Sequence, residues 1–316
     1  MYKSITPDGL FNLPILTSIV MFALPSLVVI ALLTVYLVWG STYFAIHIAL
    51  SSFPPFLLMG TRFLVAGGAL LLVLLWRGNA LPTRRQWRDA ALVGSMILGG
   101  GMGLTSYAQQ YISSGLTAVF IACSPFILTL CIGMYGEWPN RREWLGILIG
   151  FGGAVLLASG ANFSAQPIGI IALLGAITCW NVGSVLSQRR FSMAPGAMGF
   201  ASQMLAGGVF LTAVSWLSGE HLVGTITAQA WLAWSYLVVA GSLAAFTAYM
   251  YLIATVPPAL ASSYSYVNPV IAVTLGVLFG GEKLGVREIV AMTVILSSVL
   301  LVSTARTHFK KTKPST

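Results

Sequence analysis

Residues 26–50 read SLVVIALLTVYLVWGSTYFAIHIAL, a run without any Asp, Glu, Lys or Arg. An α-helix needs roughly 20 apolar residues to cross a bilayer, so this run predicts a membrane-spanning helix. β-Strands are not expected, because the run is long and its apolar residues do not alternate with polar ones. Further runs of this kind follow at about 56–76, 90–111, 115–135, 144–160, 167–187, 197–217, 231–253, 258–280 and 288–304. The sequence therefore predicts an all-α integral membrane protein with ten transmembrane helices.

The composition excludes an ordinary soluble domain. Charged residues make up 7% of the chain and hydrophobic residues 57%, whereas soluble domains average about 25% charged residues. A chain so poor in charge must present most of its outer surface to lipid. The net charge of +9 would suggest nucleic acid for a soluble protein, but these basic residues lie in short loops between apolar runs. The lipid bilayer is therefore an expected partner, and nucleic acid is not.

Lys and Arg residues are distributed unevenly between the two sides of the predicted bundle. If both termini lie on one side of ten crossings, only Lys283 and Arg287 fall in loops on the other side. Short loops rich in Lys and Arg face the cytoplasm, so both termini are expected there. The apolar stretch at 10–24 is too short to cross and is expected to be a lead-in, within which Met21 is an alternative start.

The two halves of the chain resemble each other at an offset of about 140 residues. Each half holds five predicted helices, an odd number, so the second half enters the membrane upside down relative to the first. Inverted repeats of this kind are typical of transporters that work by alternating access. The predicted divisions are a lead-in at 1–25, a first repeat at 26–160, a second repeat at 167–304 and a basic tail at 305–316. The matched residues are Trp39 with Trp180, Pro54 with Pro195, Ala66-Gly67-Gly68 with Ala206-Gly207-Gly208, Ser124-Pro125 with Asn268-Pro269, Gly136-Glu137 with Gly281-Glu282, and Arg142-Glu143 with Arg287-Glu288.

Several of these motifs, in this order and in two copies, resemble the drug/metabolite transporter superfamily, specifically its ten-helix EamA-type permeases. The resemblance rests on the run WGSTYF that begins at Trp39, on Arg62-Phe63, on Ser124-Pro125 and on the repeated Gly-Glu pairs. It extends from about Val38 to Val302. The resemblance implies a multi-pass carrier of the bacterial inner membrane that exports, or facilitates the movement of, amino acids, other metabolites or toxic compounds.

Two prolines at matching repeat positions mark a candidate solute site. Pro125 and Pro269 lie near the midpoints of the fourth and ninth predicted helices. A proline removes one backbone donor and frees a carbonyl of the preceding turn, and paired interruptions of this kind indicate a binding site near the membrane midplane. The alternative is that both prolines only kink their helices to fit the neighbours.

Polar and aromatic side chains cluster near these prolines, and they are the candidate solute-binding residues. Tyr264 and Asn268 share a helix face at i and i+4, and an intramembrane charge such as Arg62 is a functional hypothesis by default. Arg62 would bind a solute carboxylate or, alternatively, satisfy carbonyls at a helix end or kink. Packing between helices is the alternative for the aromatic residues and serines. The full candidate set is Trp39, Tyr43, His47, Arg62, Gln109, Ser124, Trp180, Asn181, Tyr249, Tyr264 and Asn268, with Pro125 and Pro269 as helix-break or gating residues.

Other functional classes lack the residues that they require. No GxxxxGK[ST] phosphate loop is present, and no acidic residue lies in the middle of an apolar run, so an ATP-driven pump or a membrane-embedded enzyme is not expected. No cofactor or metal is predicted. The expected partner is a small-molecule solute, and the expected state is a monomer or a weak homo-oligomer. A facilitator is favoured over a proton-coupled antiporter, for which His47 would have to carry the proton.

Overall fold

A computed structural model describes residues 26–136, 138, 140–158, 166–222, 224–256, 263–281 and 285–310. No residue within these ranges lies in a β-strand. The predicted lead-in at 1–25 and the last residues of the basic tail lie outside them. The described chain is thus all-helical, as the apolar runs predict.

Seven helices are continuous: α1 Ser26–Ala49, α2 Pro55–Trp76, α5 Arg141–Ala158, α6 Pro167–Arg189, α7 Gly196–Leu217, α9 Tyr264–Phe279 and α10 Val286–Lys310. The other three have internal boundaries. α3 consists of Arg84–Gly94, the π-helical stretch Ser95–Gly103 and Leu104–Ala108; α4 consists of Ser114–Ala122 and Ser124–Gly133; and α8 consists of Ala228–Tyr236, the π-helical stretch Leu237–Ala244 and Ala245–Thr255.

Length and hydropathy divide these helices into two groups. Within the described residues, α1, α2, α3, α4, α6, α7 and α8 are long and apolar enough to cross a membrane. Shorter apolar stretches, Trp144–Gly153, Val267–Phe279 and Ile289–Ser298, lie in α5, α9 and α10. Seven candidate spans confirm a multi-pass membrane protein, while the count of ten crossings stays a prediction.

The helix starts repeat between the two halves of the chain. α2 and α7 each follow a proline in extended conformation, Pro54 and Pro195. α3 and α8 each follow a threonine whose hydroxyl accepts a hydrogen bond from a backbone N–H of the first turn, Thr83 from Gln86 at 3.3 Å and Thr227 from Ala230 at 3.2 Å. Such caps satisfy donors that the first helical turn leaves open, so the local sequence signals that start these helices are the same in both halves.

Glycines bring particular helix pairs into close contact. A Cβ atom added to Gly67 of α2 would lie 2.9 Å from the Leu205 backbone nitrogen of α7, and one added to Gly153 of α5 would lie 2.9 Å from Ile295 of α10. In α3, a Cβ atom on Gly101 would lie 3.0 Å from the Trp180 ring of α6. Small residues permit this close approach. In lipid the hydrophobic effect does not drive helices together, so the packing that these glycines allow stabilises the helix pairs.

The helix contacts define the interior of the bundle. α1 packs against α8 and α9, α6 packs against α3 and α4, and α4 also packs against α9. α2 packs against α7 and against the π-helical stretch of α8. Most of the candidate solute-binding residues lie on these helices.

Candidate functional site

Three aromatic rings from α1, α8 and α9 form the centre of the candidate site. The ring centroids of Trp39 and Tyr264 are 4.9 Å apart, those of Trp39 and Tyr249 are 5.1 Å apart, and those of Tyr249 and Tyr264 are 5.7 Å apart. Two of these pairs are edge-to-face, a favoured geometry for aromatic rings. Phe246 of α8 contacts both Trp39 and Tyr249. This aromatic cluster, Trp39, Phe246, Tyr249 and Tyr264, joins α1 to α8 and α9, and Trp39 lies more than 200 residues before the other three.

Polar contacts surround the aromatic cluster. The Trp39 indole donates to the Gly241 carbonyl oxygen in the π-helical stretch of α8 at 3.2 Å. The Tyr36 hydroxyl is hydrogen-bonded to that of Ser263, which joins α1 to the residue that precedes α9. The Tyr249 and Tyr264 rings meet edge to face. These hydrogen bonds and ring contacts connect α1 with α8 and α9.

Asn268 also connects α1 with α9. It is buried, and its amide nitrogen, in the orientation that satisfies both neighbours, donates to the Tyr264 carbonyl at 3.1 Å and to the Tyr36 carbonyl at 3.3 Å. The side chain is therefore occupied by interhelical hydrogen bonds. This arrangement matches the packing alternative that the sequence left open for the polar residues of α9.

Ser124, the position in the first half that matches Asn268, makes a similar contact between helices. Asn181 of α6 donates to the Ser124 hydroxyl of α4 at 2.7 Å and to the Ile177 carbonyl at 2.7 Å. Ser124 and Asn268 each precede one of the two paired prolines. In both halves, the residue before the proline thus takes part in a hydrogen bond to the helix that opens the other half.

Arg62 is buried in the bundle, with 3% of its surface exposed. Its Nε donates to the Ser242 hydroxyl of α8 at 2.8 Å, its Nη1 lies 3.7 Å from the Met59 sulfur, and its guanidinium carbon lies 5.1 Å from the centroid of the Phe63 ring. Within the described residues, no carboxylate forms an ion pair with Arg62; the ion pair found there is Arg88–Asp89. A buried cation normally requires a paired anion or a full set of acceptors, so Arg62 is positioned to attract a negative group.

Gln109 lies at the C-terminal end of α3. It is 97% buried by residue surface, and neither its amide nitrogen nor its amide oxygen has a hydrogen-bond partner in the described chain. The neighbouring turn contributes Ser106, which is fully buried and whose hydroxyl is also unpartnered. Buried polar atoms are normally paired, so this end of α3 departs from the rest of the described interior.

Other predicted site residues lie apart from the aromatic cluster. Trp180 packs against Gly101 of α3 and makes no ring contact within the described residues. His47 is exposed in the last turn of α1. Pro125 is the second residue of the helix that restarts after Cys123 in α4, whereas α9 continues through Pro269. The paired prolines therefore have different local structures, an interruption in α4 and an unbroken helix in α9.

Tyr249 of α8 was predicted from the sequence, but the π-helical stretch of that helix was missed. Ser242 and the Gly241 carbonyl receive hydrogen bonds from Arg62 and Trp39, and both lie in the π-helical stretch. The signal available in the sequence is the small-residue run Ala240-Gly241-Ser242, which lies about one repeat after Gly99-Gly100-Gly101 of α3. Small residues in a helix are ambiguous, however, because close packing also favours them. Among the described residues, no three His, Cys, Asp or Glu side chains are grouped as metal ligands would be.

Comparisons with known proteins give a consistent family. Residues 26–159 and 167–304 each match the EamA-like transporter family. The chain is 44% identical over 281 residues to the inner membrane transporter YedA of Escherichia coli K12, which covers 88% of this chain and 91% of YedA. It is 28% identical over 185 residues to the transporter YvbV of Bacillus subtilis 168, which covers 57% of this chain and 61% of YvbV. A solved crystal structure with 22% identity superposes with a TM-score of 0.63 over 89% of this chain and 98% of that chain, a likeness of fold.

Proposed function

Because the chain belongs to the EamA-like transporter family and is a membrane transporter, not an enzyme, we propose that it is a secondary transporter of the bacterial inner membrane. Its solute is a small metabolite, such as an amino acid, or a toxic compound. Transport proceeds by alternating access, in which two inverted halves exchange conformations around a central site. The inner-membrane location follows from the relative YedA, and the cytoplasmic position of both termini follows from the distribution of Lys and Arg.

One observation carries the proposal: the contact between α2 and α7 is reciprocal, because each helix contacts the other through equivalent residues. A Cβ atom on Gly67 would lie 3.1 Å from the Ala201 carbonyl oxygen, and one on Gly208 would lie 3.1 Å from the Gly60 carbonyl oxygen. An offset of 141 residues, which aligns Trp39 with Trp180 and Pro54 with Pro195, aligns Gly67 with Gly208 and Gly60 with Ala201; it differs by one residue from the offset of 140 that matches Ala66-Gly67-Gly68 with Ala206-Gly207-Gly208. Two equivalent residues thus make equivalent contacts, the signature of a two-fold relation between halves.

The direction of this pair supports inversion. Along α2 the contact advances from Gly60 to Gly67, while along α7 it retreats from Gly208 to Ala201, so the two helices run antiparallel. Equivalent helices related by an axis normal to the membrane would run parallel, whereas inverted repeats require antiparallel partners. The antiparallel crossing of α2 and α7 therefore favours the inverted arrangement.

The pair α5 and α10 repeats the same pattern. A Cβ atom on Gly150 would meet the Ser298 hydroxyl at 2.5 Å, and one on Gly153 would meet Ile295 at 2.9 Å. The shift that aligns Arg142 with Arg287 aligns Gly150 with Ile295 and Gly153 with Ser298. This contact is also antiparallel and reciprocal. Two independent helix pairs thus support a single relation between the halves.

The remaining helix contacts form two equivalent sets, one in each half, whose conformations can exchange. α1 packs against α8 and α9, and the equivalent set in the other half is α6 against α3 and α4. The first set carries the aromatic cluster, and the second carries the hydrogen bond between Asn181 and Ser124. Exchange of these two arrangements between the halves would open one side of the bundle and close the other. The solute would then bind between them, next to Trp39 and Arg62.

The described acidic residues favour a facilitator over a proton antiporter. The Asp89 carboxylate accepts hydrogen bonds from Arg88 and from the Ser192 backbone, and the Glu220 carboxylate accepts from the backbone N–H groups of Phe56 and Leu57. Both carboxylates are thus engaged at helix ends. The alternative is proton coupling through His47, which is exposed at the end of α1.

Transport into proteoliposomes tests the proposal. Purified protein is reconstituted and supplied with a panel of labelled amino acids and other metabolites, with and without an imposed pH gradient, and protein-free liposomes serve as the control. We expect protein-dependent equilibration of at least one solute without accumulation above equilibrium. Accumulation that follows the pH gradient and is lost in His47→Ala would establish the antiporter instead. No protein-dependent flux of any solute in the panel would count against secondary transport of metabolites.

A further inference from the structure

Ser106 and Gln109 form a polar pair at the C-terminal end of α3, at positions i and i+3 on one helix face. Ser106 is 0% exposed and Gln109 is 3% exposed. Across the described residues, the buried side-chain nitrogen and oxygen atoms that lack a hydrogen-bond partner are the Ser106 hydroxyl oxygen and the two polar atoms of the Gln109 amide. All three therefore belong to one turn of one helix.

Unpartnered polar atoms are costly in a protein interior, because burial removes their hydrogen bonds to water. The adjacent residue illustrates the usual solution: the Thr105 hydroxyl is buried and donates to the Gly101 carbonyl oxygen at 2.7 Å. Gln109 has two χ angles more than a threonine, yet neither end of its amide meets a partner. The described part of the chain does not supply the missing groups, and a molecule that enters the bundle can supply them.

The surroundings of the pair are consistent with a place on the solute path. The stretch Leu104–Ala108 follows directly on the π-helical stretch of α3 and packs between α2 and α6. π-Helical stretches are frequent at functional sites. In the matching helix α8, the polar groups of the π-helical stretch receive Trp39 and Arg62 from α1 and α2. At the end of α3, no side chain of the described residues hydrogen-bonds to the Ser106 hydroxyl or the Gln109 amide.

We propose that Ser106 and Gln109 bind an uncharged polar group of the transported solute, of the class of a carboxamide or a hydroxyl. The Gln109 amide oxygen accepts hydrogen bonds, its NH2 group donates two, and the Ser106 hydroxyl can donate or accept. A ligand group that both donates and accepts satisfies all three atoms. A carboxylate or an ammonium group would be desolvated there without an opposite charge, since Arg62 is held toward α8 by Ser242. This assignment rests on the proposed transport function and specifies the solute class for it.

The test compares three probes that share a phenyl body and differ in their polar group: 2-phenylacetamide, phenylacetate and 2-phenylethylammonium. The proteins are wild type, Ser106→Ala, Gln109→Leu and the control Gln229→Leu, which makes the same substitution at an exposed glutamine in the first turn of α8. The melting temperature of each purified protein is measured in detergent without probe and with each probe at millimolar concentration. A ligand that binds the folded state raises the melting temperature.

Without probe, we expect Gln109→Leu to melt at or above the temperature of wild type, because the substitution removes two unpaired polar atoms. With probe, the amide should raise the melting temperature of wild type and of Gln229→Leu by roughly 2 °C or more. That shift should be smaller in Ser106→Ala and absent in Gln109→Leu, and neither charged probe should give a shift that Gln109→Leu removes.

Several outcomes would overturn the assignment. If Gln109→Leu melts several degrees below wild type without probe, the amide has a structural partner in the folded chain. If the amide gives no shift, or gives equal shifts in wild type and Gln109→Leu, then water alone occupies the pair or the probe binds elsewhere. Failure of transport itself is distinguishable: a protein that shows the Gln109-dependent shift but moves no metabolite in proteoliposomes retains the site and loses the proposed function.

Discussion

Arg62 combines full burial with a permanent charge, and its described contacts are one hydroxyl, one thioether and one aromatic ring. Of these, only Ser242 is a strong hydrogen-bond acceptor. The guanidinium has five N–H donors, so the stability of this region depends on a single side chain of α8. The residue could be identified from the sequence as an intramembrane charge, but its partner could not, because Ser242 lies 180 residues away.

Replacement of Ser242 by alanine is expected to lower stability by about 1–3 kcal/mol, the usual contribution of a hydrogen bond to a charged group. The matched control is Ser202→Ala in α7, a fully buried serine whose hydroxyl donates only to the Gly199 carbonyl of its own helix. Thermal unfolding in detergent should show a clearly larger decrease for Ser242→Ala. Equal decreases would mean that Ser242 does not support the Arg62 charge.

Glu220 presents a second residue-scale prediction, since its carboxylate caps α2 from the loop after α7. One oxygen accepts from the Phe56 N–H at 3.2 Å and the other from the Leu57 N–H at 2.9 Å. A negative group at a helix N-terminus is favourable through both the hydrogen bonds and the helix dipole. We expect Glu220→Ala to lower stability by about 1 kcal/mol and Glu220→Gln, which keeps one acceptor, to lower it by less. An alanine variant as stable as wild type would exclude the cap as a stabilising contact.

At the scale of the element, the glycines of α2 separate packing from helix propensity. Gly67 and Gly68 are adjacent, but a Cβ atom on Gly67 would lie 2.9 Å from the Leu205 nitrogen, whereas one on Gly68 would have its nearest contact at 4.0 Å. Alanine is favoured over glycine in a helix by about 1 kcal/mol. Overpacking typically costs about 1–3 kcal/mol. At Gly67 this cost opposes the gain in helix propensity, whereas at Gly68 only the gain in helix propensity applies.

We therefore expect Gly67→Ala to lower the melting temperature and Gly68→Ala to leave it unchanged or raise it. Gly208→Ala, at the equivalent position of α7, should resemble Gly67→Ala because its Cβ atom would lie 2.8 Å from the Leu64 nitrogen. The three variants make the same chemical change, so each serves as a control for the others. If Gly67→Ala were as stable as Gly68→Ala, the close crossing of α2 and α7 would be contradicted.

Elements also mark the limit of sequence-based prediction in this protein. Apolar runs predicted the helices well, because lipid requires long segments that satisfy their own backbone. The π-helical stretches of α3 and α8 were not predicted, since a shift from i−4 to i−5 hydrogen bonds leaves no periodic trace in a uniformly apolar run. Trp39, Tyr249 and Tyr264 were predicted as site residues from their chemistry and do lie together. Trp180 matches Trp39 by position and packs against α3, the helix equivalent to α8, but within the described residues it has no aromatic neighbours there, which only the tertiary contacts could determine.

At the scale of the whole molecule, the proposed exchange of conformations between the two halves would divide the helix contacts into two kinds. The contacts α2–α7 and α5–α10 are each their own equivalent, because exchange converts α2 into α7 and α5 into α10. They can stay the same in both states. The contact α1–α9 would be converted into α6–α4, which is made of different residues and in which α4 is interrupted at Cys123, whereas α9 is continuous. Alternating access therefore requires the α1–α9 contact to change while the α5–α10 contact persists.

Disulfide cross-links test this division in a background whose three cysteines, Cys123, Cys131 and Cys179, are replaced by alanine. The first pair, Gly40→Cys with Ile271→Cys, joins α1 to α9, because a Cβ atom on Gly40 would lie 2.8 Å from the Ile271 Cβ atom. The second pair, Gly153→Cys with Val294→Cys, joins α5 to α10, because a Cβ atom on Gly153 would lie 3.0 Å from a Val294 methyl carbon. Disulfides need Cβ atoms about 3.5–4.5 Å apart, and both pairs place the two helices in direct contact. We expect oxidation to stop solute flux in proteoliposomes for the α1–α9 pair, with recovery after reduction, and to leave flux unchanged for the α5–α10 pair. Undiminished flux through a fully oxidised α1–α9 pair would mean that these helices move as one body, and the exchange of conformations between the halves would then have to lie elsewhere in the bundle.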